Sequence, residues 1–511
     1  MTPRAARFVR RGVLFAGPVL ALATFLALPE SYAAAPGKEV AFTAAGRATL
    51  AMVVWMAAWW MTEAVDIEVT ALLPIALFPL LGIATIAKAT EPYASDVIYL
   101  FLGGFVLGLA IERWGLDRRI AFHTLRITGP RPGAMVAGFM AATAFLSMWI
   151  SNTACAAMMV PIAVSVIDLV LRSRTGKGLR ESGGIPQDRK SERNFALCLL
   201  LAVAYAASIG GIGTIIGSPP NGIASRFIAQ TYGKEVTFLD WMTFGMPFTL
   251  VFLPIAWVIL TRVLFPVEFR EVPGGREMIA AEIAKLGPMN RGEKATLAVF
   301  AAAAFFWIFG GLLRDLDLGG IRPLRGLTDS GVAMLAALAL FLLPVERDSG
   351  KRAMDWDTAS RLPWGVLVLF GGGLSLAAAV EANGVSGFIG QSARALAVLP
   401  PLGLLVAIIA MTVFLSEVTS NTAQVATMTP VLAAMAPALG LDPKTLVVVC
   451  ALAASSAYMM PVGTPPNAIV FGTGLVRMPQ MVKAGFVLNL AGIAVIAALA
   501  WWVIPHVVAA H

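Results

Sequence analysis

Long apolar runs separated by short polar connectors dominate the chain. They fall near 12–29, 46–62, 68–86, 96–112, 133–172, 194–220, 240–264, 294–313, 328–344, 363–381, 400–439, 444–474 and 484–505. A helix needs about 20 apolar residues to cross a bilayer, so most of these predict one crossing each. Two of them, 133–172 and 400–439, are about twice the length of a crossing. Glycine and proline recur inside the runs, which membrane helices tolerate where neighbouring protein or a water-filled cavity satisfies the freed backbone groups.

The connectors carry a charge bias that decides how the two long runs are threaded. Arg4, Arg7, Arg10 and Arg11 precede the first run; the 113–131 connector holds five arginines and 172–193 holds seven basic residues. If 133–172 crossed once, these two connectors would lie on opposite faces, against the positive-inside rule. A hairpin that enters and returns keeps both in the cytoplasm. Treating 400–439 the same way from the outer face leaves roughly 28 of the 38 Lys and Arg inside. The prediction is an all-α polytopic protein of a bacterial inner membrane, with eleven transmembrane helices and two re-entrant helical hairpins, N-terminus in and C-terminus out. Residues 1–45 are an N-terminal segment whose basic start, apolar run and Ala33-Ala34-Ala35 are similar to a signal peptide with its cleavage site. The run is long for that role, and a retained first helix is expected.

Composition sharpens this picture. Of 511 residues 58% are hydrophobic and 13% charged, and mean hydropathy is +0.80. A soluble domain could not hide that much apolar surface. The net charge of +8 sits in connectors and reads as topology, not as a nucleic-acid surface. Cys155, Cys198 and Cys450 lie in apolar segments without CxxC spacing, and His123, His506 and His511 are scattered, so neither a disulfide framework nor a zinc site is suggested. The spans offer no His partner for a Ser and no paired carboxylates, which argues against an enzyme, and no continuous polar stripe of the kind a passive channel needs.

The chain repeats itself. Gly103-Gly104 with Ile111-Glu112 and Gly115 recurs as Gly372-Gly373 with Val380-Glu381 and Gly384, and Ser147, Ser151-Asn152-Thr153 and Pro161 recur as Ser416, Ser420-Asn421-Thr422 and Pro430, in both cases 269 residues on (372 − 103 and 416 − 147). Gly217-Ser218-Pro219-Pro220-Asn221 recurs as Gly463-Thr464-Pro465-Pro466-Asn467, 246 on (463 − 217). The first repeat is 46–265, with its hairpin at 133–172 and a broken helix around 210–221. A cytoplasmic linker occupies 266–293. The second repeat is 294–511, with its hairpin at 400–439 and a broken helix around 459–467. Because one hairpin opens inward and the other outward, the repeats are inverted, an arrangement secondary transporters use to alternate access to a midplane site.

The repeated motifs are suited to ions. Each Ser-Asn-Thr lies near the middle of its hairpin, and an arm of about 10 residues already rises about 15 Å, half the hydrocarbon thickness. Ser and Asn bring small oxygen ligands that a hard cation such as Na⁺ accepts, while half-helix N-termini and Asn or Thr donors suit a carboxylate. Consecutive prolines remove backbone donors and stop a helix; two copies, each following a Ser-Asn-Thr hairpin, point beyond a packing kink. Gly211, Gly213 and Gly217 lie inside a span and read as close packing or the helix break rather than a nucleotide loop, and Gly104 and Gly108 as a packing face. Glu417 fits a proton relay or a structural acceptor; its counterpart Met148 favours the structural role.

At these residues the chain resembles the divalent anion/sodium symporter family, the INDY-type di- and tricarboxylate carriers. The likeness rests on Leu-Ser-Met-Trp-Ile-Ser-Asn-Thr (146–153), Leu-Pro-Trp-Gly-Val-Leu-Val-Leu-Phe-Gly-Gly-Gly (362–373), Thr-Ser-Asn-Thr-Ala (419–423) and Gly-Thr-Pro-Pro-Asn-Ala (463–468). The resemblance implies a scaffold domain that dimerises, making a homodimer, and a transport domain that moves like an elevator. It implies one sodium site of Ser147, Ser151, Asn152 and the Gly217 backbone, and a second of Ser416, Ser420, Asn421 and the Gly463 backbone. Asn152, Thr153, Ser218, Asn421, Thr422, Thr464 and Pro465 would hold a small dicarboxylate.

Energetics fits sodium coupling. An inside-negative potential opposes entry of a dianion by about 4.6 kcal/mol per 100 mV, which two co-transported Na⁺ cancel and a third overcomes. The implied set contains no Lys or Arg, so bound cations and helix dipoles must neutralise the substrate. A sodium-independent dicarboxylate exchanger of the same fold and a sulfate or tricarboxylate carrier are the alternatives.

Overall fold

The computed structural model describes residues 3–504 apart from 36–37, 180, 182–183, 186–187, 273, 318–320, 347–349 and 395–399. Arg180 of the basic connector, His506, His511 and the end of the expected second repeat lie outside the described residues. In the first half the order is α1 Pro3–Ala27, β1 Ser31–Ala35, β2 Lys38–Ala41, α2 Ala44–Thr62, α3 Ile67–Thr70, α4 Leu73–Leu80, α5 Ile86–Thr90, α6 Asp96–Trp114, α7 Leu116–Thr128, α8 Pro132–Ser147, α9 Asn152–Thr175, α10 Lys190–Gly211, α11 Pro219–Tyr232 and α12 Phe238–Val258. The second half continues with α13 Gly275–Leu286, α14 Arg291–Arg314, α15 Asp329–Leu342, α16 Trp356–Ala359, α17 Trp364–Ala382, α18 Val385–Ala393, α19 Pro401–Ser416, α20 Asn421–Met435, α21 Pro443–Ala454, α22 Pro465–Gly472 and α23 Met478–Trp502.

Among the described residues, eight helices are long and apolar enough to cross a membrane, and six further apolar helices are shorter, among them α8, α15, α19 and α21. Three of them, α8, α19 and α21, arise where a run is interrupted. The run 133–172 divides into α8 and α9 around a non-helical 148–151, because the Ser151 hydroxyl turns back to accept the Ala154 N–H at 3.2 Å and starts a new helix. The run 400–439 divides in the same way into α19 and α20 around 417–420, with Ser420 capping Ala423 at 3.5 Å. Arms α8 and α19 each have 16 residues, about 24 Å of helix, short of a full crossing.

The proline motifs interrupt two more runs. α10 ends at Gly211 and α11 starts at Pro219; α21 ends at Ala454 and α22 starts at Pro465. Proline suits a first helical position, where no N–H is required. The second break opens earlier than the expected 459, at 455. The N–H groups of Tyr458, Met459 and Met460 go to the Glu417 carboxylate instead of continuing the helical ladder. The connector read as cleavage-like holds the antiparallel hairpin β1–β2, a departure from all-helical expectation. It seats Tyr32 edge-on to Phe42 and Phe388, with ring centroids 5.9 and 5.6 Å apart.

α10 and α21 form the centre. Every residue from Phe195 to Gly211 and from Thr445 to Ala454 is buried. Both are rich in alanine and other small residues, which lets neighbouring backbones approach closely where lipid offers no hydrophobic driving force. α8 and α9 pack on α10, and α19 and α20 on α21. The halves interlock through the pieces beyond the breaks: α22 packs on α9 and α10, and α11 on α20 and α21.

Candidate functional site

Ser147 ends α8 and lies fully buried, its hydroxyl donating to the Ala207 carbonyl of α10 at 2.7 Å. The Asn152 amide, at the start of α9, sits 2.6 Å from that hydroxyl. With its nitrogen turned inward it donates to Ser147 Oγ at 2.6 Å and to the Ala207 and Gly217 carbonyls at 3.2 Å each. One amide position is thus faced by a hydroxyl and two carbonyls, from the hairpin, the half-helix and the break. Gly211 makes room for it: a Cβ there would stand 2.4 Å from the Asn152 amide oxygen. Ser151 is exposed at the same tip.

The second half repeats this arrangement. Ser416 is buried at the end of α19, bonded to the Ala454 carbonyl and 2.7 Å from the Asn421 amide oxygen. Ser420 is half-buried beside it. Clustered hydroxyl, amide and carbonyl oxygens are a donor set for a hard, weakly charged cation. Gly463 lies within the break, its N–H on the Met460 carbonyl at 3.2 Å.

Two asparagines outside the expected set carry the breaks. Asn221 Nδ2 donates to the carbonyls of Gly211 and Thr214, at 2.9 and 2.8 Å. Asn467 Nδ2 donates to those of Ala457 and Met460, at 3.3 and 3.1 Å. The partners lie ten and seven residues earlier in both copies. Thr214 adds a bond from its hydroxyl to the Met148 carbonyl at 2.5 Å, tying break to hairpin tip. The repeated Pro-Pro-Asn already marked these asparagines; the carbonyls they hold have no sequence signal.

The expected substrate residues differ in access. Thr153 and Pro465 are exposed, Asn152, Asn421 and Thr422 half-buried, and Ser218 and Thr464 buried. Ser218 and Thr464 both precede a Pro-Pro helix start, but only Thr464 caps its helix, accepting the Asn467 N–H at 3.4 Å, while the Ser218 hydroxyl makes no capping bond. The serine is therefore free to face a ligand without giving up a cap.

Access is unequal along the hairpins. On α9, Thr153, Ala157, Pro161 and Ser165 form an exposed stripe, bordered by a cavity of about 300 Å³ whose wall includes Arg118 and Glu282. The matching α20 positions are half-buried at Thr422 and Ala434 and buried at Ala426 and Pro430, and Ala426 lies against Gly373 of α17. Two cavities of about 1000 Å³ each adjoin α18 and α5 and carry none of the Ser-Asn-Thr or Pro-Pro-Asn residues. Size alone does not locate this site; the paired motifs do.

Comparison with known proteins agrees with this architecture. The YdaH transporter of Alcanivorax borkumensis shares the fold at a TM-score of 0.61 and 15% identity, over 98% of both chains. The chain is 38% identical over 459 residues to the sodium-dependent dicarboxylate transporter SdcS of Staphylococcus saprophyticus, covering 90% of this chain and 86% of the relative. SdcS of Staphylococcus aureus gives the same identity and coverage. The profile of the sodium:sulfate symporter transmembrane region matches residues 20–508. With a match along nearly its whole length, the chain belongs to the sodium:sulfate symporter family, the divalent anion/sodium symporters that its paired motifs resemble.

Proposed function

We propose that the protein is a sodium-coupled symporter of C4-dicarboxylates such as succinate, a secondary carrier and not an enzyme. The duplicated oxygen clusters carry this reading: Ser147, Ser151 and Asn152 with the Gly217 carbonyl, and Ser416, Ser420 and Asn421 with Gly463, each at a hairpin tip beside a broken helix. Each asparagine has two faces to offer. With nitrogen inward, Asn152 satisfies the surrounding oxygens of an ion-free site; with oxygen inward it adds a ligand for Na⁺. The helix starts at Asn152, Pro219, Asn421 and Pro465 supply positive dipole ends for two carboxylates, joined by Thr153, Thr422, Ser218, Thr464 and Pro465. Sodium thus binds first and prepares the site. The relatives named as sodium-dependent dicarboxylate transporters support dicarboxylate over sulfate.

The wider organisation follows. Repeats 46–265 and 294–511 are inverted, flanking the linker 266–293 and preceded by an N-terminal helix in 1–45; eleven spans and two hairpins place the N-terminus in and the C-terminus out. The hairpins and broken helices form a transport domain that moves as an elevator against a dimeric scaffold. The exposed α9 stripe and covered α20 face fit the state open to the cytoplasm.

Succinate uptake into proteoliposomes tests the function, with an inward sodium gradient against matched choline. Accumulation should require sodium, and Asn152→Ala and Asn421→Ala should each reduce it at least 100-fold. Equal uptake in choline would instead indicate a sodium-independent exchanger and remove both sodium sites.

A further inference from the structure

The two hairpin tips are tied to their breaks by different chemistry. In the first half, the Thr214 hydroxyl donates to the Met148 carbonyl at 2.5 Å, and also accepts the Gly217 N–H at 3.1 Å. At the equivalent positions of the second half stand Glu417 (148 + 269) and Met460 (214 + 246). Here the carboxylate side chain takes over: its oxygens accept the N–H groups of Tyr458 at 2.8 Å, Met459 at 2.9 and 3.0 Å and Met460 at 2.8 Å, and Asn489 Nδ2 at 2.6 Å. Three successive backbone amides form a nest of the kind that holds an anion. All these partners are donors, and Glu417 is only 3% exposed. In the first half a hydroxyl ties tip to break, and the equivalent amides of Ile212 and Gly213 go to the Ile209 and Gly210 carbonyls, so holding tip to break does not by itself require a charge.

The charge lies beside the second sodium cluster. Glu417 adjoins Ser416 in sequence, and a Cβ on Gly463 would stand 3.1 Å from Glu417 Oε2. Accepting the sodium sites proposed above, we propose that Glu417 is the positioning residue that makes the second site the high-affinity one. A fixed anion in the amide nest raises cation affinity at Ser416, Ser420, Asn421 and Gly463 and repels a dicarboxylate until sodium is there. The first site has no such charge and fills later.

Sodium dependence of succinate uptake, paired with the sodium-induced rise in Tm without substrate, tests this on the full-length carrier. Glu417→Gln should raise half-saturating sodium at least tenfold in both measurements, while succinate KM at saturating sodium stays within about twofold. Glu417→Asp, which keeps the charge but withdraws it by one methylene, should raise it about threefold. Wild-type sodium dependence in the Gln variant, or equal losses in Gln and Asp, would overturn the proposal. If Glu417→Gln does not fold, the Asp variant decides alone, and an unchanged sodium dependence there overturns it. Wild-type protein with neither sodium-dependent uptake nor a sodium-induced Tm shift would sink the underlying sodium reading instead.

Discussion

Asp117 and Glu417 are each about 3% exposed, yet their surroundings differ. Glu417 is enclosed by the donors of four residues, whereas Asp117, on the connector helix α7, accepts the Arg118 N–H at 2.8 Å while burial pushes its carboxyl up to about 6. For an acid raised above its ordinary 3.8, ionisation opposes folding. The cost is absent below that value, grows as pH rises towards about 6 and is complete above it. Asn at 117 keeps the acceptor oxygen and never ionises. Asp117→Asn should therefore stabilise the protein by about 3 kcal/mol at pH 7.5, with the difference closing by pH 4. Thermal unfolding in detergent at the two pH values reads this, and a difference that ignores pH would refute burial as the cause. The proposed binding residues were legible because the motifs that hold them occur twice in the sequence in the same order. The partners of Glu417 were not, since backbone amides some 40 residues away leave no trace in residue identity.

Among elements, the division of the two double-length apolar runs into two helices each was legible from their length. The onset of the second break was not. Helix propensity alone would carry α21 past Ala454, but the Glu417 carboxylate, with the Asn489 amide oxygen at Tyr458, draws the amides of 458–460 away. The β1–β2 hairpin was hidden similarly, its alanines being ambiguous between a cleavage site and a strand. What holds the breaks in shape is the pair Asn221 and Asn467, each feeding two buried carbonyls from one amide. Removing that amide strands the Gly211 or the Ala457 carbonyl, while those of Thr214 and Met460 keep the N–H groups of Gly217 and Gly463, at about 1–3 kcal/mol for a buried group left unpaired. Asn221→Ala and Asn467→Ala should each lose about 1–3 kcal/mol in unfolding experiments. Wild-type stability in either variant would mean that the prolines alone shape the break.

At the scale of the whole molecule the two halves share their serine–asparagine pairs and asparagine braces but differ in exposure, and an alternating-access carrier caught in one state should look this way. The Ser-Asn-Thr tips and asparagine braces coincide, while the α9 stripe is open and the α20 stripe is covered by α17. If that asymmetry is a state and not a fixed trait, it must reverse during transport. Cysteines at Ala157 and Ser165 on α9 and at Ala426 and Ala434 on α20 report it, since native Cys155, Cys198 and Cys450 are buried. A membrane-impermeant thiol reagent should label 157 and 165 rapidly in inside-out vesicles and leave 426 protected in right-side-out ones. Under turnover with sodium and succinate, labelling at 426 from outside should rise several-fold as labelling at 157 from inside falls. Labelling of 157 only from outside would reverse the assigned orientation. Labelling unchanged by turnover would mean that the halves do not exchange roles, and the proposed inverted repeat would then be architecture without alternation.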